Sequence, residues 1–148
     1  MTETAAPAVP EAVLVAVDFS PGSRRALDAS LSWCPRGEIT ALHVVDTEFA
    51  ERVQAQGLGS SGDVVAKLRA SADEEFQWLL QEKGAHAFDP MIVEGIPFVE
   101  IVKIAKDLQV DLIAIGMSRL ASRVDHLLFG STAEKVLRAS SCPVLCVP

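Results

Sequence analysis

The sequence predicts an α/β fold, a parallel sheet with helices on both faces, and three observations carry that prediction. Short runs rich in β-branched residues alternate with segments of helical periodicity along the chain. The first run, Val13-Leu14-Val15-Ala16-Val17, shows no polar alternation, as expected of a strand buried on both faces of a parallel sheet. The chain has 148 residues and is 49% hydrophobic. That length gives one domain, which should bury roughly two thirds of its unfolded surface without disulfide or metal staples. Residues 1–11, rich in Ala, Pro and Glu, read as a disordered tail, and residues 12–148 as the domain.

Each element has its own justification. The first strand ends at Asp18. Ser20-Pro21 then supplies an N-cap and a proline at the first helical position, and Ala26, Leu27, Ser30 and Leu31 continue at helical spacing to Trp33. Ile39 to Val45 is the second strand. From Asp46 to Gly62 the periodicity is lost, and the segment reads as a mobile connection ending in a glycine cluster. Val64, Leu68, Ala72, Phe76 and Leu79 mark a long helix from Asp63 to Lys83, with Gly84 as its C-cap. Ala87 to Val93 is a third strand, and Asp89-Pro90 at its start favours an edge position. Pro97 opens a helix running to Gln109, and Val110 to Ile115 is the fourth strand. A loop from Gly116 to Phe129, a helix from Ser131 to Ala139 and a strand from Val144 to Val147 complete the chain.

Composition excludes several function classes. Thirteen Lys+Arg against twenty Asp+Glu leave a formal charge of -7, with no basic run to meet a nucleic-acid backbone. The apolar stretches are far shorter than the roughly 20 residues that span a bilayer, so no membrane partner is expected. The N-terminus lacks the basic start and apolar centre of a secretory signal. Cys34, Cys142 and Cys146 are odd in number and contain no C-x-x-C, so they read as reduced core thiols and point to the cytoplasm. His43, His86 and His126 are too scattered for a metal set. No G-x-S-x-G or phosphate-loop motif is present, and dedicated catalysis has no support. Trp33 and Trp78 read as core or dimer packing residues rather than ligand platforms.

In an open parallel sheet, ligands bind beyond the carboxyl ends of the strands where strand order reverses. Asp18 at the end of the first strand can accept hydrogen bonds from an adenine amino group or ribose hydroxyls, or it can help cap the following helix. Gly130-Ser131-Thr132 offers backbone N–H groups and two hydroxyls at a helix N-terminus, which suits a phosphate but also makes an ordinary N-cap. Gly116 can let backbone approach a phosphate, or it can simply make the turn.

With those residues in place, the chain resembles the universal stress protein family from Val13 to Pro148. Val15-Ala16-Val17-Asp18-Phe19-Ser20 and Leu42-His43-Val44-Val45-Asp46 look like its first two strand ends. Glu94-Gly95-Ile96-Pro97, Val110 to Gly116, Gly130 to Arg138 and Ser141-Cys142-Pro143-Val144-Leu145 resemble its third helix, fourth strand, closing helix and last strand. The resemblance implies a Rossmann-like five-stranded parallel sheet of order 3-2-1-4-5, and commonly a homodimer paired through the fifth strand. It also implies a division into ATP binders, which carry G-x-x-G-x9-G-[ST], and members that bind no ATP. In the binders the residue matching Asp18 contacts the adenosine, Val44 lies at the base through its backbone, and the glycine motif holds phosphates.

Here the motif is degenerate. Gly116 and Gly130-Ser131 match its ends, but Arg119 and Leu120 stand where the middle glycine is expected, and the span is one residue longer. A Cβ at a left-handed position costs about 1 kcal/mol and blocks close approach to an anion. Arg119 and Arg123 can offset this by pairing with phosphates, or can simply be solvated. The resulting expectation is a stress-response sensor or adaptor that binds ATP with Mg²⁺ and is at most a weak ATPase. Binding would order the segments after strands two and four for an unidentified protein partner. The rival expectation is a dimeric interaction protein of the same fold that binds no nucleotide.

Overall fold

The computed structural model describes residues 9–117 and 131–148. Its elements are β1 (Ala12–Ala16), α1 (Pro21–Trp33), β2 (Glu38–Asp46), α2 (Thr47–Ala55), α3 (Ser61–Lys83), β3 (Asp89–Gly95), α4 (Pro97–Asp107), β4 (Leu112–Gly116), α5 (Ser131–Ala139) and β5 (Val144–Val147). The strands form one parallel sheet of order β3-β2-β1-β4-β5, as the resemblance implied, with β3 at an edge as its Pro90 favoured.

Side-chain alternation along the central strand divides the core into two layers. Val13, Val15 and Val17 face α1 and α3, where Ala26, Leu27, Phe76 and Leu79 close over them. Leu14 and Ala16 face α4 and α5, against Ile101, Ala105, Ala133 and Val136. Because helices pack on both faces of β1, it has no solvent face, which explains its uninterrupted apolar run.

Local signals set the ends of the elements. Ser20 N-caps α1, its side chain accepting from Ser23 N–H at 3.3 Å, and Pro21 follows at the first helical position. Gly84 ends α3 at φ 120°, a conformation that suits glycine. The fourth strand begins at Leu112 rather than Val110, because Val110 N–H closes α4 onto Ala105 O and Asp111 is occupied with β1. Asp111 Oδ2 accepts from Glu11 and Ala12 N–H at 2.9 and 3.0 Å and fixes where β1 begins. The third strand runs from Asp89 to Gly95, later than Ala87 to Val93, and includes Pro90 paired with Ala41. An edge strand tolerates proline where the missing N–H would face no neighbour.

Three expectations need correction. The segment from Asp46 to Gly62 is not an irregular connection, because it holds the nine-residue helix α2 and the start of α3. Only Ala50 of α2 is buried, and its nine residues are fewer than the roughly 11 over which a helical period can be read. Cys34 is buried as expected, but Cys142 and Cys146 are half-buried, because β5 is an edge strand whose four residues are all partly exposed. Trp33 and Trp78 are exposed on their helices, which removes the core alternative of their reading and leaves packing in a dimer.

Candidate functional site

A cleft of about 940 Å³ opens beyond the carboxyl ends of β1, β2 and β4. Between β1 and β4 the strand order reverses, since β1 connects to β2 on one side while β4 pairs with it on the other. The helices that start at this end of the sheet, α1, α2, α4 and α5, bring their first turns to the rim.

One wing of the cleft is polar. Asp18 is exposed on the rim, and its Oδ1 accepts from Ser20 N–H at 3.0 Å. Partial burial pushes the Asp18 carboxyl up, but the polar groups of Ser20 and Ser23, the Ser20 N–H bonded to it among them, outweigh it, and the group is held below its usual 3.8. Asp18 N–H lies 3.3 Å from Ser23 Oγ, and that buried hydroxyl donates to Ser20 O at 3.1 Å. Across the cleft, Ser131 and Thr132 stand at the start of α5, where the helix dipole favours an anion. Arg25 also lines this wing, and its Nε donates to Pro148 O at 2.6 Å.

The other wing is apolar. Leu42, Val44, Ile101 and Ile115 line it, together with Phe49 of α2 and Leu68 of α3. Asp46 Oδ1 caps α2 by accepting from Phe49 N–H at 3.1 Å, which fixes where the exposed Phe49 ring stands.

The structure therefore brings Asp18, Val44, Gly116, Ser131 and Thr132 to one cavity. Arg119, Arg123 and Gly130 lie outside the described residues. Gly116 has a role that neither sequence reading included. A Cβ there would run into the Gly22 carbonyl carbon and Ser23 N, and one on Gly22 would meet Met117 O at 2.8 Å. The two glycines let the end of β4 lie directly on the first turn of α1. Sequence reasoning also missed His43, Phe49 and Arg25 as lining residues. Asp46 as an N-cap with Glu48 behind it was a usable signal for α2, and hence for Phe49.

Comparison with known proteins agrees with this geometry. Residues 11–148 match the model of the universal stress protein family. The chain belongs to the universal stress protein family. It is 32% identical to universal stress protein MJ0577 of Methanocaldococcus jannaschii, over 91% of this chain and 93% of that one. It is 31% identical to universal stress protein YxiE of Bacillus subtilis, over 91% and 97%. It is also 31% identical to universal stress protein MJ0531 of Methanocaldococcus jannaschii over 74% of this chain, a match that spans 64% of that protein's length. The solved structure of MJ0577 superposes with a TM-score of 0.75 over 93% of this chain and 94% of that chain at 30% identity. Two further structures share the fold below 25% identity. A universal stress protein in complex with cAMP gives a TM-score of 0.58 at 20% identity, covering 95% of this chain and 98% of that one. An Arabidopsis thaliana family member with AMP bound gives 0.61 at 19%, covering 93% and 91%.

Proposed function

We propose that this universal stress protein binds an adenine nucleotide, ATP with Mg²⁺, in the cleft above β1 and β4, and acts in the cytoplasm as a stress-response sensor or adaptor by binding rather than turnover. One observation carries the reading: a single cavity joins apolar lining side chains to a carboxylate and a helix N-terminus. About 940 Å³ falls within the range of roughly 300–1,000 Å³ usual for ligand pockets. The base would lie along Val44 and Phe49, the ribose hydroxyls would donate to Asp18, and the phosphates would meet Ser131, Thr132 and Arg25, with Arg119 and Gly130 as further contacts. The bound nucleotide would supply charge and shape that differ with its phosphorylation state. The cAMP and AMP complexes of two proteins with this fold support adenine as the base.

A homodimer through β5 is part of the proposal, and the two sheet edges support it. Arg69 donates to Ile92 O at 3.2 Å and so covers part of the β3 edge, while β5 is partly exposed along its length. One observation favours the rival reading of an interaction protein without nucleotide: the bond from Ser20 N–H to Asp18 Oδ1 already gives that carboxylate a structural role.

The deciding experiment is to denature the purified protein, identify released small molecules, and titrate the emptied protein with ATP and Mg²⁺ by calorimetry. Released adenine nucleotide or saturable heat is the expected result. No released nucleotide and no heat at millimolar ATP would leave the interaction-protein reading in its place.

A further inference from the structure

We propose that His43 is the positioning residue of the cleft, holding through its Nδ1 hydrogen bond the left-handed turn that carries the Asp18 carboxylate. The ladder between β1 and β2 has its last paired residues at Ala16 and Leu42. Just beyond it, Val17 N–H still donates to Leu42 O at 2.8 Å, and His43 Nδ1 lies 2.7 Å from Val17 O. A carbonyl oxygen can only accept, so Nδ1 carries the proton. The imidazole thus continues the pairing of the two strands for one more rung, and Asp18 is the next residue.

The same ring bears on the turn itself. Phe19 sits at φ 66°, a conformation uncommon outside glycine, asparagine and aspartate, and such a residue persists only where its surroundings over-determine it. His43 packs on Phe19 with centroids 5.0 Å apart, and the buried Phe76 of α3 meets Phe19 edge-on at the same distance. Arg24 Nε donates to Phe19 O at 3.1 Å. Phe76 anchors the turn in the core, and His43 ties it to β2 on the side that lines the cleft. Without the Nδ1–H bond to Val17 O, the left-handed turn is free to relax and carry Asp18 out of register with Ser20 N–H.

The ligand arm of the test rests on the nucleotide reading, and two arms do not. His43→Asn places an amide donor where Nδ1 stands, His43→Gln places it near Nε2, and His43→Phe keeps the ring without a donor. Nitrogen NMR of the wild-type ring should show the neutral form protonated at Nδ1. Carbon NMR of the Asp18 carboxyl, without ligand, should show titration below the usual aspartate range in wild type and His43→Asn, and a return toward it in His43→Phe and His43→Gln. Loss of one hydrogen bond that aims a contact group should weaken ATP binding about tenfold in the Phe and Gln variants, with the Asn variant within about threefold of wild type. A ring protonated at Nε2, or Asp18 titration unmoved in His43→Phe, would overturn the proposal without any variant having to bind ligand. Rescue by Gln and not by Asn would also overturn it, by making His43 a ligand contact. If wild type takes up no ATP, the nucleotide reading falls, while the ring and carboxyl measurements still decide the role of His43.

Discussion

Asp18 is where the two sequence readings meet, because its carboxylate both supports the turn into α1 and faces the cleft. Its folded-state pKa lies below 3.8, so its contribution to stability is present above that value and is lost as pH falls through the folded pKa. Asp18→Asn keeps an acceptor for Ser20 N–H but not the charge. Urea midpoints should therefore place Asp18→Asn below wild type at pH 7, with the gap closing as the pH is lowered past 3.8. A gap of constant size across the acid range would refute the linkage. At Gly116 the expectation concerns folding. Gly116→Ala drives a methyl into the backbone of α1 and should cost about 2–4 kcal/mol, read by thermal or urea denaturation. A variant as stable as wild type would show that β4 can back away from α1.

Among the elements, α2 shows best what the sequence could and could not reveal. Strongly periodic helices were legible, as were strands bounded by Gly, Pro or a cap. Ser20-Pro21 marked the start of α1, Gly84 the end of α3, and Pro90 the edge position of β3. A nine-residue helix is shorter than the roughly 11-residue window over which a helical period can be read, and its N-cap was the sole strong cue. Asp46→Ala should cost about 1 kcal/mol and speed amide exchange within Thr47–Ala55. Unchanged exchange there would mean that packing on α3, rather than the cap, holds the helix. The site was legible to the extent that it uses strand ends and helix starts, which chain order reveals. His43 was not, because its role depends on a φ of 66° at Phe19 and on Phe76, 33 positions further along the chain from it, and neither is a local property of the sequence.

Across the whole molecule, stability should be greatest at the centre of the sheet. Val13, Leu14 and Val15 are fully buried and paired on both sides, so their amides should exchange only through global unfolding. Native-state exchange in mild urea checks this, and subglobal opening of β1 would contradict it. No helix among the described residues is long and apolar enough to cross a membrane. The core is split by the sheet into two layers, and Phe76→Ala, on the α1 and α3 side, should cost about 3–5 kcal/mol in urea denaturation.

Arg69 has a consequence at the largest scale. Its guanidinium reaches over the margin of the sheet to Ile92 O and also holds Glu94 at 3.2 Å, beside a proline that can offer no donor. Two copies joined along β5 would form a ten-stranded ribbon whose outer rims are both blunted in this way. At each rim of such a ribbon the guanidinium would take up an acceptor and the proline would withhold a donor, so a third copy would find fewer partners there than an open sheet offers.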